Sequence, residues 1–507
     1  MTLTDSFKIA RLRSVPLISI STQDPTALIA ELSATQPEDT PILRWTLTTG
    51  LEALSPTGAA ALAKILDGRE AAIAANPVES LTLARDLPKN AVLFMLQAHR
   101  YLEGEGTAIA VWHLRDLYKR DGRTLVLLSP GMIPPPELAQ DIISLDEPLP
   151  DAAQLSTIVR EMLSAAKNTE PAEQVITDAV AALTGLSAFQ AEQVTAMSLK
   201  MVRGKPAELD MAELWTRKRR TISDTPGLTV YGGPEKFADI GGQANLKQFL
   251  SRILAGDRAP KTVVIIDEIE KALGGAGTDT SGVSTDQLAV LLTAMQDKKA
   301  AGILLMGPPG AGKTVVAKAA ANEASALGIM FDLGGMKSSL VGSSEQRIRS
   351  ALRVIDAVSS GLPLFIATCN SVAALPPELL RRFNLARFFV DLPTPDERKS
   401  IWGIHRKKYA IDPKDPGPAS DSQWTGAEIE NACDIARRLN QPLNEAAKYI
   451  VPIAKSAEAT ISRLRQQAGG HFISASEPGP YLYVDPKLTE VPAGGRRQLS
   501  YELEDSK

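Results

Sequence analysis

The sequence predicts an α/β protein: two parallel-sheet modules in tandem, followed by a helical cap. Three observations predict it. Short apolar runs at residues 15–20, 42–47, 91–96, 125–128 and 142–145 alternate with helix-patterned stretches, the rhythm of strand–helix–strand units. A second set of such runs, 262–266, 303–306, 329–333, 364–368 and 387–392, lies downstream. In that set the run Ile303-Leu304-Leu305-Met306 leads directly into Gly307-Pro308-Pro309-Gly310-Ala311-Gly312-Lys313-Thr314 and then an Ala-rich helical stretch beginning at Val315.

Bulk properties bound the answer. The chain has 507 residues, enough for two to four domains, with 44% apolar and 22% charged residues. A net charge of −4 gives no global reason to expect nucleic acid as a partner. Two cysteines, Cys369 and Cys433, suit a reducing compartment and make no disulfide framework. The four histidines have no metal-ligand spacing. No apolar run approaches 18 residues, and the run at 15–20 is too short for a secretory signal. The expectation is a soluble cytoplasmic protein without membrane insertion.

Residues 1–150 form the first module. A helix is expected over 59–75, stopped at Asn76-Pro77, and another near 107–120. This module has no glycine–lysine–hydroxyl loop of its own. Residues 151–200 are helix-patterned and predict a small bundle. Residues 201–236 read as a linker, whose Arg217-Lys218-Arg219-Arg220 run is expected to be a solvated helix end. The second module spans 237–395, a helical lid 396–468, and an irregular, partly disordered tail 469–507.

The chemistry sits in the second module. Glycines in a strand–loop–helix turn let backbone N–H groups curl around phosphate oxygens. Lys313 would reach the β- and γ-phosphates, and Thr314 would hold Mg²⁺ through its hydroxyl. The loop implies ATP or GTP. No Asn-Lys-x-Asp segment is present to read guanine, which favours ATP. The strand 262–266 ends in Asp267-Glu268, two carboxylates at the strand's C-terminal edge. Asp267 can join the Mg²⁺ shell, and Glu268 can take a proton from an attacking water.

Taken together, these segments resemble the AAA family of ring-forming ATPases over residues 237–465. FADIGGQANLKQFL resembles its adenine-side segment, GPPGAGKT its Walker A loop and VVIIDEIEKAL its Walker B strand. ATCNSVAALPPELLRRF resembles its second region of homology, and TGAEIENACDIA a helix of its lid. The first half is similar to a AAA family encoded in cyanobacteria and plastid genomes, with a degenerate RecA/AAA-like module ahead of the core. The resemblance implies that Asp239, Ile240 and Gly241, with Gly426 and Ala427, lie near the base. It implies that Asn370 orients the water or γ-phosphate, and that Arg381 or Arg382 acts as an arginine finger on a neighbouring copy. A finger in trans implies a homo-oligomeric ring, often of six. It leaves two functions open, an ATP-driven remodeller of a protein or nucleoprotein and a nucleotide-dependent scaffold or switch. Leu340 stands in the loop where threading rings carry an aromatic residue.

One feature departs from the family. Glu268 comes 45 residues before Lys313 (313 minus 268), whereas the family's Walker B strand follows Walker A. The expectation is that the Walker B strand and its helix are transposed within an otherwise ordinary sheet.

Overall fold

The computed structural model describes residues 2–66, 76–132, 134–168, 170–200, 207–273, 283–297, 300–323, 326–336, 343–359, 362–371 and 375–483. The fold is mixed α/β. It divides into two compact units: Met1–Val230 with Thr278–Lys298 and Met330–Pro363, and Tyr231–Gly277 with Lys299–Ile329 and Leu364–Lys507.

In the first unit, strands β1 (Leu17–Ser21), β2 (Ile42–Thr46), β3 (Gly50–Ala53), β4 (Val92–Met95), β5 (Thr124–Ser129) and β6 (Ile143–Asp146) form one sheet, in the order β3-β2-β4-β5-β1-β6. Only the β2–β3 hairpin is antiparallel. The inner strands β1, β4 and β5 are buried on both faces, which is why they read as unbroken apolar runs. Alternate residues serve opposite faces. Ile18, Ile20, Val92, Phe94, Val126 and Leu128 pack with Phe7, Leu28 and Leu32 of helices Leu3–Leu12 and Pro25–Ala34. Leu17, Leu93, Met95, Leu125 and Leu127 pack with Leu81, Val111, Leu114 and Tyr118 of helices Pro77–Leu83 and Glu105–Asp121. The helix expected over 59–75 is described over Pro56–Leu66, and residues 67–75 lie outside the described residues. Asn76 opens the next helix: its side chain caps the N–H groups of Val78 and Glu79.

The helical region is larger than the expected bundle. Helices Ala152–Ala165, Glu173–Leu183 and Ala188–Met197 begin at capping residues Asp151, Ala172 and Ser187. A short antiparallel pair, β7 (Leu199–Lys200) and β8 (Glu208–Leu209), follows. The stretch expected to be a linker then folds as helix Met211–Ser223. Its residues Leu214, Lys218 and Ile222, spaced four apart, are buried, and Leu214 joins the bundle core. This corrects the reading of the basic run. Arg219 and Arg220 are exposed, but Lys218 lies inside, with its ammonium 4.9 Å from the Trp215 ring centre. Burial pushes its pKa down to about 8.

The second sheet uses β9 (Leu228–Tyr231), β10 (Thr262–Ile266), β11 (Ala301–Met306), β12 (Leu327–Phe331), β13 (Pro363–Cys369), β14 (Ala386–Phe389) and β15 (Ile473–Ser474). The order is β15-β14-β11-β13-β10-β12-β9, with β11 parallel to both β13 and β14. Helices Pro395–Lys408 and Gly426–Leu439 carry the lid core, and Thr394 and Thr425 cap them reciprocally with Glu397 and Glu428.

The tail also differs from expectation. Residues 469–483 fold back as a strap: β15 adds to β14 in parallel, and a turn returns Tyr481 to the Phe472 carbonyl. The Tyr481 hydroxyl and the Arg465 guanidinium both bind Asp391. Residues 484–507 lie outside the described residues, as does the Leu340 loop at 337–342.

Candidate functional site

The site is built at the C-terminal end of β11. Gly307 leaves the strand against the Val390 carbonyl, where a Cβ would sit 2.0 Å from that oxygen. Gly310 and Gly312 take left-handed φ values of +78° and +89°, so the loop can curl without side chains in the way. Helix Lys313–Glu323 follows, starting on the loop's lysine. Lys313 is buried, and its Nζ donates to the carbonyls of Gly307 and Pro308 at 2.8 Å and to Asn370 Oδ1 at 2.9 Å. Burial pushes its pKa down to about 8, a shift opposed by the carboxylates around it. Val315 is exposed on the first turn of the helix.

The carboxylates that precede the loop in the chain meet it in space. β10 lies beside β13, which lies beside β11. Thr314 Oγ1 donates to Asp267 Oδ1 at 2.7 Å, and Thr368 Oγ1 donates to the same oxygen at 2.5 Å. The Glu268 amide donates to Thr368 Oγ1 at 2.9 Å. Glu268 leaves the strand at φ +47°, a conformation costly for a residue with a Cβ. Its carboxylate is held from two sides, by Asn370 Nδ2 at 3.0 Å and by Lys271 Nζ at 2.5 Å. Asn370, just past β13, therefore touches both Lys313 and Glu268.

Of the residues expected near the base, Gly426 and Ala427 meet this loop, and Asp239-Ile240-Gly241 meets the lid. Ala427 N donates to the Gly310 carbonyl at 3.3 Å, and a Cβ on Gly310 would meet Thr425 and the Ala427 Cβ. The Asp239-Ile240-Gly241 turn lies against the lid: a Cβ on Gly241 would be 2.5 Å from Ile401. Gln243, which sequence reading missed, is 7% exposed and takes φ +55°. Its Nε2 donates to the Ala311 carbonyl at 2.8 Å, and its amide donates to Glu397 of the lid at 2.9 Å. Sequence gave no signal for it, because a lone glutamine after Gly-Gly has no motif value. Glu270 was missed as well: its Oε1 accepts the Asn370 amide at 2.9 Å.

Arg381 and Arg382 are not brought to Lys313. They precede β14, and the Arg382 carbonyl faces Gly302 at the opposite end of β11. Four residue-to-residue steps of strand, from Gly302 to Met306, separate that end from the loop, roughly 13 Å.

Comparison with known proteins gives family matches on two stretches of the chain. A model of the SpoVK-like AAA ATPase N-terminal domain matches residues 10–147. A model of the ATPase family associated with various cellular activities matches residues 303–360. The chain carries AAA ATPase domains. Along most of its length the chain is similar to the uncharacterised AAA domain-containing protein ycf46 of Guillardia theta. The identity is 24% over 452 residues, covering 78% of this chain and 82% of the relative. The ycf46 protein of Gracilaria tenuistipitata is 24% identical over 453 residues, covering 78% and 85%. A cell division cycle protein 48 homologue of Archaeoglobus fulgidus is 29% identical over 221 residues, covering 32% and 30%. Among the described residues, no helix is long and apolar enough to cross a membrane.

Proposed function

We propose that this AAA protein binds ATP with Mg²⁺ in its second unit, hydrolyses it, and works as a ring that remodels a protein or nucleoprotein partner. The observation that carries the reading is the meeting of the two carboxylates with the loop. Thr314 Oγ1 lies 2.7 Å from Asp267 Oδ1, and Asn370 joins Lys313 to Glu268. In this reading the Walker B strand is transposed in the chain and keeps its lateral place in the sheet. Its support is that β10 precedes β11 in sequence yet sits next to β13. Chain order can change while neighbouring strands still assemble one site.

The donor set fits magnesium. Thr314 and Asp267 offer hard oxygens at bonding distance from each other, and such ions take one or two protein oxygens and complete the shell with phosphates and water. Bound there, the ion would neutralise charge on the phosphates. Lys313 and the loop amides grip the β- and γ-phosphates, Asp267 supports the metal, and Glu268 accepts the proton of the attacking water. Asn370 orients that water or the γ-phosphate. Ile240, Gly241, Gly426 and Ala427 enclose the base. Catalysis is positioning plus electrostatics. Arg381 or Arg382, placed at the other end of β11 from its own loop, serves the nucleotide of the next copy.

A second reading, a switch with slow turnover, is favoured by one contact. Lys271 pairs with the Glu268 carboxylate at 2.5 Å and so competes for the proton acceptor. Steady-state hydrolysis by the parent and by Glu268→Gln decides between the two. The remodeller reading expects turnover in the parent, a loss of roughly 10²-fold or more in the variant, and ATP binding retained in both. Tight ATP binding without hydrolysis in the parent would overturn it in favour of the switch. Mass measurement with and without ATP tests the ring.

A further inference from the structure

We propose that Glu270 is a positioning residue of this site, fixing Asn370 where it can bridge Lys313 and Glu268; only the kinetic half of the test rests on the ATPase reading. Glu270 lies three residues after Asp267, on the short helix Ile269–Leu273. Its Oε1 accepts the backbone N–H of Asn370 at 2.9 Å. That N–H needs an anchor. The β11–β13 pairing ends at Met306 opposite Cys369, so Asn370 stands one residue beyond the ladder. Past that point the side chain of Asn370 does two jobs, accepting from Lys313 Nζ at 2.9 Å and donating to Glu268 Oε1 at 3.0 Å. Glu270 thus ties the backbone of Asn370 to the same turn that carries Asp267 and Glu268.

The second carboxylate oxygen strengthens the case. Glu270 Oε2 is enclosed and finds no hydrogen-bond partner among the described residues. A buried unpartnered carboxylate oxygen is unfavourable for folding, and such atoms persist where a site needs the group. A side chain selected for packing alone would not need a polar acceptor there. The arrangement also makes a specific demand: an acceptor at the reach of a glutamate. Glutamine supplies the same reach and an acceptor, whereas aspartate keeps the charge and withdraws the acceptor by one methylene.

The test uses the full-length protein with Glu270→Ala, Glu270→Asp, Glu270→Gln, Asn370→Ala and the Glu270→Ala/Asn370→Ala double variant. Two readouts are taken: kcat and KM for ATP, and amide exchange by mass spectrometry over residues 364–371. Glu270→Ala and Glu270→Asp are expected to lower kcat about tenfold, to change KM less than about twofold, and to speed exchange at Asn370. Glu270→Gln is expected to restore both. In the Asn370→Ala background, removing Glu270 should cost nothing further in kcat. Parental kcat and parental exchange in Glu270→Asp overturn the proposal, as do additive losses in the double variant. A parent that does not turn over ATP sinks the ATPase reading, and exchange at Asn370 alone then decides the role of Glu270.

Discussion

The two sheets share a lateral order and differ in what stands at one edge. From one side, the first runs β2-β4-β5-β1-β6 and the second β12-β10-β13-β11-β14. β4 occupies in the first the place β10 occupies in the second, and both are left through a kink with positive φ: +52° at Gln97, +47° at Glu268. The residues at the two exits are Leu96-Gln97 and Asp267-Glu268. β1, in the place of β11, leads to a helix capped by Asp24, with no glycine loop and no lysine. The backbone strain is therefore present with and without the acidic pair. A left-handed residue at a sheet edge reports how the strand is left; the side chains decide whether chemistry follows.

Two buried lysines sharpen the contrast. Lys313 and Lys218 are 6% and 2% exposed, and burial lowers the pKa of each to about 8. Lys313 has three oxygen acceptors within 2.9 Å. Lys218 has one carbonyl, Ala181 O, at 3.3 Å, and an indole ring. One is an instrument and the other a cost.

The largest effect is expected from Lys313→Ala, which should lower ATP turnover by at least ~100-fold. Asp24→Ala in the first unit should leave turnover and ATP affinity unchanged, and any loss there would break the comparison. Next, Gly307→Ala drives a methyl into the Val390 carbonyl, with a cost of about 3 kcal/mol or more. Thermal unfolding checks it, and a wild-type melt would show that the loop relaxes. Lys218→Met should stabilise the protein by about 1–3 kcal/mol in urea unfolding, without altering ATP affinity. That effect carries a pH signature. The unfolded chain holds the lysine proton up to about 10.5, the folded one only to about 8. Parental stability from this group should thus rise from pH 8 to pH 10.5 and sit at its lower level below pH 8. In Lys218→Met the rise should vanish. The smallest effect is expected from Lys271→Ala. The Lys271 side chain is 70% exposed, so water and salt screen its pair with Glu268 and the pair is weak. Freeing Glu268 should raise basal turnover by about two- to fivefold, and a fall would remove the reason to consider a switch.

Sequence carried the inner strands well, because they are buried on both faces and leave continuous apolar runs. It also carried the loop at 307–314 and the Asp267-Glu268 pair, whose residue types are tied to phosphate chemistry. It failed where a structural role has no composition signal. The helix Met211–Ser223 was hidden because its buried stripe, Leu214, Lys218 and Ile222, includes a lysine within a basic run. β15 is two residues long and offers no period to read. The Glu270 and Gln243 side chains each meet a backbone group distant in sequence, at Asn370 and Ala311, and no local pattern announces such a contact.

The strap has a consequence for handling the protein. β15 caps the open side of β14, with the Ala475 amide donating to the Phe389 carbonyl at 3.0 Å. A chain cut at residue 468 would present that row of N–H and C=O groups to solvent. An uncovered edge strand is a template for another copy's edge, so the shortened protein should clump by strand-to-strand pairing even while its ATP loop stays intact.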